Sequence, residues 1–157
     1  MRRKFLMLFS SSVFTMSAAG TNESPISDNE TDVSTKVSKF ECYQSKRVIS
    51  ADEANKVAKS VMAKKMYLWN FRTVYFRTCN VELATEVAEG FENRTHSLRG
   101  FLETLDLRCY AEKKHITATG ALKISKEYAQ HRLNLDKFKE IFQRTCDYAE
   151  ASYIAGR

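Results

Sequence analysis

The chain has 157 residues, with 25 Lys and Arg against 19 Asp and Glu, 43% hydrophobic residues, four cysteines, five glycines and one proline. This composition excludes a collagen-like chain, a repetitive linker and a wholly disordered protein. A chain of this length buries roughly two-thirds of its unfolded surface on folding, enough for one domain with its own core.

The N-terminus comes first in chain order. Arg2, Arg3 and Lys4 precede a mostly apolar run from Phe5 to Met16, and Ser17, Ala18, Ala19 and Gly20 follow it. A positive start, a short apolar stretch and small residues before the cut form the plan of a secretory signal, so residues 1–19 are expected to be removed after Ala19. The apolar run is shorter than the roughly 20 residues a membrane-spanning helix needs, and no later stretch is longer, so no membrane association is expected once the signal has gone. Three positive charges leave with it, and the formal +6 becomes +3.

Residues 20–39 carry Glu23, Asp28, Glu30 and Asp32, two lysines, many small polar residues and no aromatic one. Such a stretch offers too little apolar area to offset its ordering entropy and is expected to be a disordered polar arm. The folded domain is expected over 40–157, where 20 basic residues face 15 acidic ones. That balance permits contact with an acidic surface or nucleic acid without requiring it.

Ser50 and Glu53 have the spacing of a capping box, and Ala54, Val57, Ala58, Val61 and Met62 follow at helical spacing, which predicts a helix from Ala51 to about Lys65. Met66 to Cys79 is rich in aromatic and β-branched residues and reads as strand, broken near Asn70. Asn80 caps a short helix from Val81 to Glu89 that Gly90 ends. Phe101 to Tyr110 alternates apolar with polar residues and reads as strand, Ile116 to Thr119 as a short strand, and Ala121 to Leu133 fits either type. Asn134 caps a final helix from Leu135 to about Tyr148. The expected class is α+β, helices packed on one face of an antiparallel sheet. No internal repeat is read.

Cys42, Cys79, Cys109 and Cys146 lack the close Cys and His spacing of a zinc site, so no metal is expected. In a secreted protein they read as two disulfides. Three pairings are possible. Cys42 with Cys146 is favoured because it ties the ends of the folded region, and Cys79 with Cys109 because it joins two expected strands. Asn22, Asn29 and Asn93 open N-x-Ser/Thr sequons, and Asn93 marks an exposed turn.

Glu103, Arg108 and His115 are the only set of side chains suited to cleaving RNA by a carboxylate base, a histidine acid and a cation for the phosphate. Strand parity turns Glu103 and Arg108 to opposite sides, so no catalytic residue is assigned. No cofactor motif is present. Trp69, Arg72 and Arg77 interleave aromatic and cationic groups, a pattern that can stack on unpaired bases and neutralise phosphates, and they are the candidate RNA-binding residues.

Phe40-Glu41-Cys42, then Arg47-Val48-Ile49-Ser50, the helix from Ala51 and the late Cys146 form a layout that resembles the small secreted effectors of powdery mildew fungi. The resemblance implies a ribonuclease-like fold without catalysis, delivery into the host cell cytoplasm, and binding of host protein or RNA to suppress defence. The expected function is thus a secreted, monomeric, non-enzymatic effector. The alternatives are a secreted ribonuclease and an extracellular binding or inhibitor protein.

Overall fold

The computed structural model describes residues 28–157. The expected signal and residues 20–27 lie outside them. Among the described residues the secondary structure is helical: α1 Asp28–Ser38, α2 Ala51–Met62, α3 Leu68–Thr78, α4 Val81–Glu92, α5 Leu98–Leu105, α6 Ala118–Ala129, α7 Leu135–Thr145 and α8 Tyr148–Ala155. Extended pairing is limited to two isolated antiparallel bridges, Glu41 with Val48 and Arg108 with His115. The expected α+β class, and the ribonuclease-like sheet with it, is therefore overturned.

The physical reason lies in the two segments read as strands. Phe71, Val74 and Tyr75 of α3 are fully buried at positions i, i+3 and i+4. In α5, Phe101 is fully buried, and Leu98, Leu102 and Leu105 pack against the same core at helical spacing. The α3 side chains favour strands, but such preferences are weak where a helix-period face can be buried, and the alternation that suggests a strand over 101–110 begins only at Leu105, where α5 ends. The N-caps read from the sequence hold, whereas Gly90 does not end its helix, which runs on to Glu92. Ser50 and Glu53 form the capping box of α2, with the Glu53 carboxylate accepting from the Ser50 backbone N–H at 3.1 Å. Asn80 and Asn134 accept from Leu83 and Lys137 at the starts of α4 and α7. Asn93 is exposed in the turn after α4.

Residues 28–38 of the expected polar arm form α1. Two apolar residues one turn apart are enough to dock it: Val37 is fully buried, Val33 packs on the same core, and the Ser34 hydroxyl donates to Asn55 of α2.

The disulfides are Cys42–Cys79 and Cys109–Cys146, which corrects the expected pairing. Each closes the same sequence separation of 37. This identity exposes the chief architectural feature, an internal repeat that the sequence reading missed. The differences 109 − 42 and 146 − 79 are both 67. The same shift carries α2 onto α6, α3 onto α7, the start of α4 onto the start of α8, and one bridge onto the other. It also superposes the left-handed residues Lys46, Lys64 and Cys79 on Lys113, His131 and Cys146. In sequence it matches Cys42-Tyr43 to Cys109-Tyr110, Phe71 to Phe138, and Arg77-Thr78-Cys79 to Arg144-Thr145-Cys146.

Each repeat is thus a helix, a disulfide-pinned loop and three more helices, with α1 on α2, α3 on α4, α5 on α6 and α7 on α8. Stacked aromatic pairs recur in the interiors, Phe71 on Tyr75 at 5.9 Å and Phe138 on Phe142 at 6.2 Å. The loops dock alike, since Tyr43 N–H donates to the Phe76 carbonyl at 2.8 Å and Tyr110 N–H to the Gln143 carbonyl at 2.9 Å. Two hydrophobic clusters result. The first reaches across the junction to Phe101 and Ala121, and the second is confined to the second repeat.

Candidate recognition surface

The inward side of α3 is spoken for by the core, which fixes what its outward side displays. Trp69, Arg72 and Phe76 fall at i, i+3 and i+7 and are exposed, Trp69 to 70% and Phe76 to 47%. The disulfide loop completes the face. The Arg72 guanidinium lies 5.3 Å from the centre of the Phe40 ring and 5.8 Å from that of Trp69. Tyr43, itself exposed, meets Phe76 at 5.6 Å between ring centres. The loop is held from beneath, where the buried Tyr75 hydroxyl donates to the Arg47 carbonyl at 2.9 Å and burial raises the phenol's pKa. Arg47 also bonds Glu53 at 2.7 Å, and the Ser50 backbone N–H, more than Arg47, holds that carboxyl below its ordinary range.

The second repeat shows what the fold itself demands at these places. Shifting by 67 replaces Trp69 with Asp136, Arg72 with Lys139, Phe76 with Gln143 and Phe40 with Leu107, while Tyr43 becomes Tyr110. The same helix face is here a polar ion-pair network. Lys139 contacts Glu103 at 2.7 Å and Asp136 at 3.1 Å, and Arg99 contacts Glu103 at 2.7 Å. The fold therefore does not need aromatic residues on the outward face of this helix, where α7 has none. In the first repeat they are surplus to packing, and exposed Trp, Tyr and Arg side chains are the types that dominate binding energy at protein interfaces.

The other candidates divide. Trp69 and Arg72 stand together on the face, while Arg77 turns towards the second repeat, where it pairs with Asp106. Glu103, Arg108 and His115 do not form a catalytic set. Glu103 is engaged by Lys139 and Arg99, whose hydrogen bonds lower its pKa and suit it poorly as a base near neutral pH. Arg108 and His115 face each other across the bridge that closes the second loop. Missed altogether were Phe40, which partners Arg72, and Tyr43, which partners Phe76. A helical reading of 68–78 would have placed Phe76 on the side of Trp69 and Arg72.

Among the described residues, no group of three or more His, Cys, Asp or Glu side chains could hold a metal ion. No helix among them is long and apolar enough to cross a membrane. The two disulfides fit an extracellular or secreted protein. Comparison with known protein families, characterised proteins and solved structures finds no match to this chain.

Proposed function

We propose that this chain is a secreted, non-enzymatic effector that works by surface recognition, using the outward face of α3 to bind a host protein and blunt defence. The observation that carries this reading is the contrast between the repeats: one fold position is aromatic and exposed in the first and polar and ion-paired in the second. A stack of Arg72 between two rings costs little further ordering on binding, because its neighbours already hold it.

Single-stranded RNA fits this face less well. A base needs a free ring face to stack on. Here Arg72 packs against Phe40 and Trp69, and Tyr43 meets Phe76, so each ring, though exposed, already has a partner.

The test uses substitutions that the second repeat already tolerates. Trp69→Asp with Phe76→Gln should keep the fold and cost only about 1–2 kcal/mol, from the lost contacts of Trp69 with Arg72 and of Phe76 with Tyr43. Oxidised wild-type protein should retain a host protein that this variant releases. Equal retention by both, or retention of RNA alone, would refute the proposal.

A further inference from the structure

A trough made of two adjoining depressions, one between the repeats and one within the second repeat, offers a chemistry different from the α3 face. Its first part, about 580 Å³, lies beside Tyr43, Phe76 and Arg77 and reaches Arg108 and His115. Its second part, about 810 Å³, continues from Arg108 to Tyr110 and Lys113. Asp106 and Arg108 line both parts, so the two lie side by side.

The acids of this trough are already engaged, Asp106 by Arg77 and Glu103 by Arg99 and Lys139. Arg108 and Lys113 have no ion pair among the described residues. The walls therefore present uncompensated positive charge with an exposed tyrosine at each end, Tyr43 and Tyr110. The Arg108 charge is particular to the second repeat, because the equivalent residue in the first is Glu41, while Lys113 has its counterpart in Lys46.

We infer that this trough receives an extended acidic segment of the protein partner, its carboxylates on Arg108 and Lys113 and its apolar side chains against Tyr43, Phe76 and Tyr110. The inference rests on the reading above that the partner is a protein. Arg108 suits the task because a guanidinium takes a carboxylate through two parallel hydrogen bonds. A phosphate chain would meet the same cations, but Tyr43 and Phe76 already contact each other at 5.6 Å, which leaves poor stacking room for bases at that end.

The experiment is an NMR titration of the ¹⁵N-labelled, oxidised protein, sensitive to weak binding. Three probes are used: a synthetic peptide alternating Glu with Tyr and Leu, the same peptide with Gln replacing Glu, and a single-stranded oligouridylate of matched length. The resonances of Arg108, Tyr110 and Lys113 should move with the Glu peptide, and affinity should fall about tenfold or more with the Gln peptide or in Arg108→Glu. Arg108→Glu should fold normally, since Glu41 occupies the equivalent bridge position. Unmoved trough resonances, equal binding by Arg108→Glu, or saturation by oligouridylate at lower concentration would each overturn the inference. Trp69→Asp, outside the trough, should leave the peptide shifts intact. If that variant loses the host protein while Arg108→Glu keeps it, the trough assignment alone has failed.

Discussion

Gly90 gives the sharpest test of how the two repeats are joined. It lies inside α4 and does not end it, and the ring of His96 occupies the room its missing side chain leaves. A Cβ at this position would stand 1.7 Å from His96 Nδ1, 2.4 Å from Cγ and 2.5 Å from Cε1. His96 is buried and cannot yield cheaply. Its Nδ1 shares a 2.8 Å hydrogen bond with the Thr95 hydroxyl, and its backbone N–H donates to the Gly90 carbonyl. Gly90→Ala gains about 1 kcal/mol of helix propensity. Against this, overpacking costs about 1–3 kcal/mol and the lost hydrogen bond about 1 kcal/mol. The net loss is roughly 2 kcal/mol, or a Tm lower by about 4–8 °C for a chain of this size. Urea unfolding followed by circular dichroism measures it directly. Combining Gly90→Ala with His96→Ala removes the clash, so the double-mutant cycle should show coupling of about 0.5–3 kcal/mol. A Gly90→Ala protein as stable as wild type, or strict additivity, would refute the reasoning.

Other consequences follow from the same architecture. Removing either disulfide by a double Cys→Ser change should cost about 4 kcal/mol in the loop-entropy picture, nearly the same for both because their separations are equal; a large inequality in urea unfolding would contradict this. Burial first, then the nearby Lys126, depresses the His96 pKa below its ordinary 6.5, with Glu86 opposing. The unfolded chain therefore binds the proton more readily, and the contribution of His96 to stability is full above pH 6.5 and falls as pH drops below it. Tm should decline over that window in wild type and less in His96→Gln; equal declines would count against it. Glu53 and Glu103, both lowered from 4.5, add a second loss only at more acidic pH. A chain beginning at Phe40 should be less stable than one retaining α1, because Val37 covers the core beneath it; unchanged urea resistance would argue otherwise.

Much of the helical skeleton was legible in the residues, and its failures have physical causes. The α2, α4 and α7 starts were readable because a cap is a local device whose donors and acceptors lie three residues apart. Segment α3 was misread because composition was weighed above period: Phe71, Val74 and Tyr75 repeat like a helix while being residue types that favour strands. Segment α5 was misread because the alternation of Leu105, Leu107 and Cys109 begins where it ends and belongs to the loop that follows. Helix α1 was hidden because its docking needs only Val33 and Val37 amid polar neighbours. The repeat was present in the cysteine spacings themselves, and overlooking it led to the crossed disulfide pairing. Trp69 and Arg72 were singled out from the mix of aromatic and cationic residues as candidate RNA-binding groups, but their exposure is visible only in the structure, and only the comparison between α3 and α7 tells packing residues from surplus ones.

Trp69 is the chain's single tryptophan, so its fluorescence reports on the α3 face alone. The decisive measurement is its emission and acrylamide quenching, free and with the captured host protein added. The free protein should show a solvent-exposed indole, and binding should shift the emission to the blue and shield the ring from quencher. A bound complex in which Trp69 emits and quenches as it does when free would contradict recognition through this face.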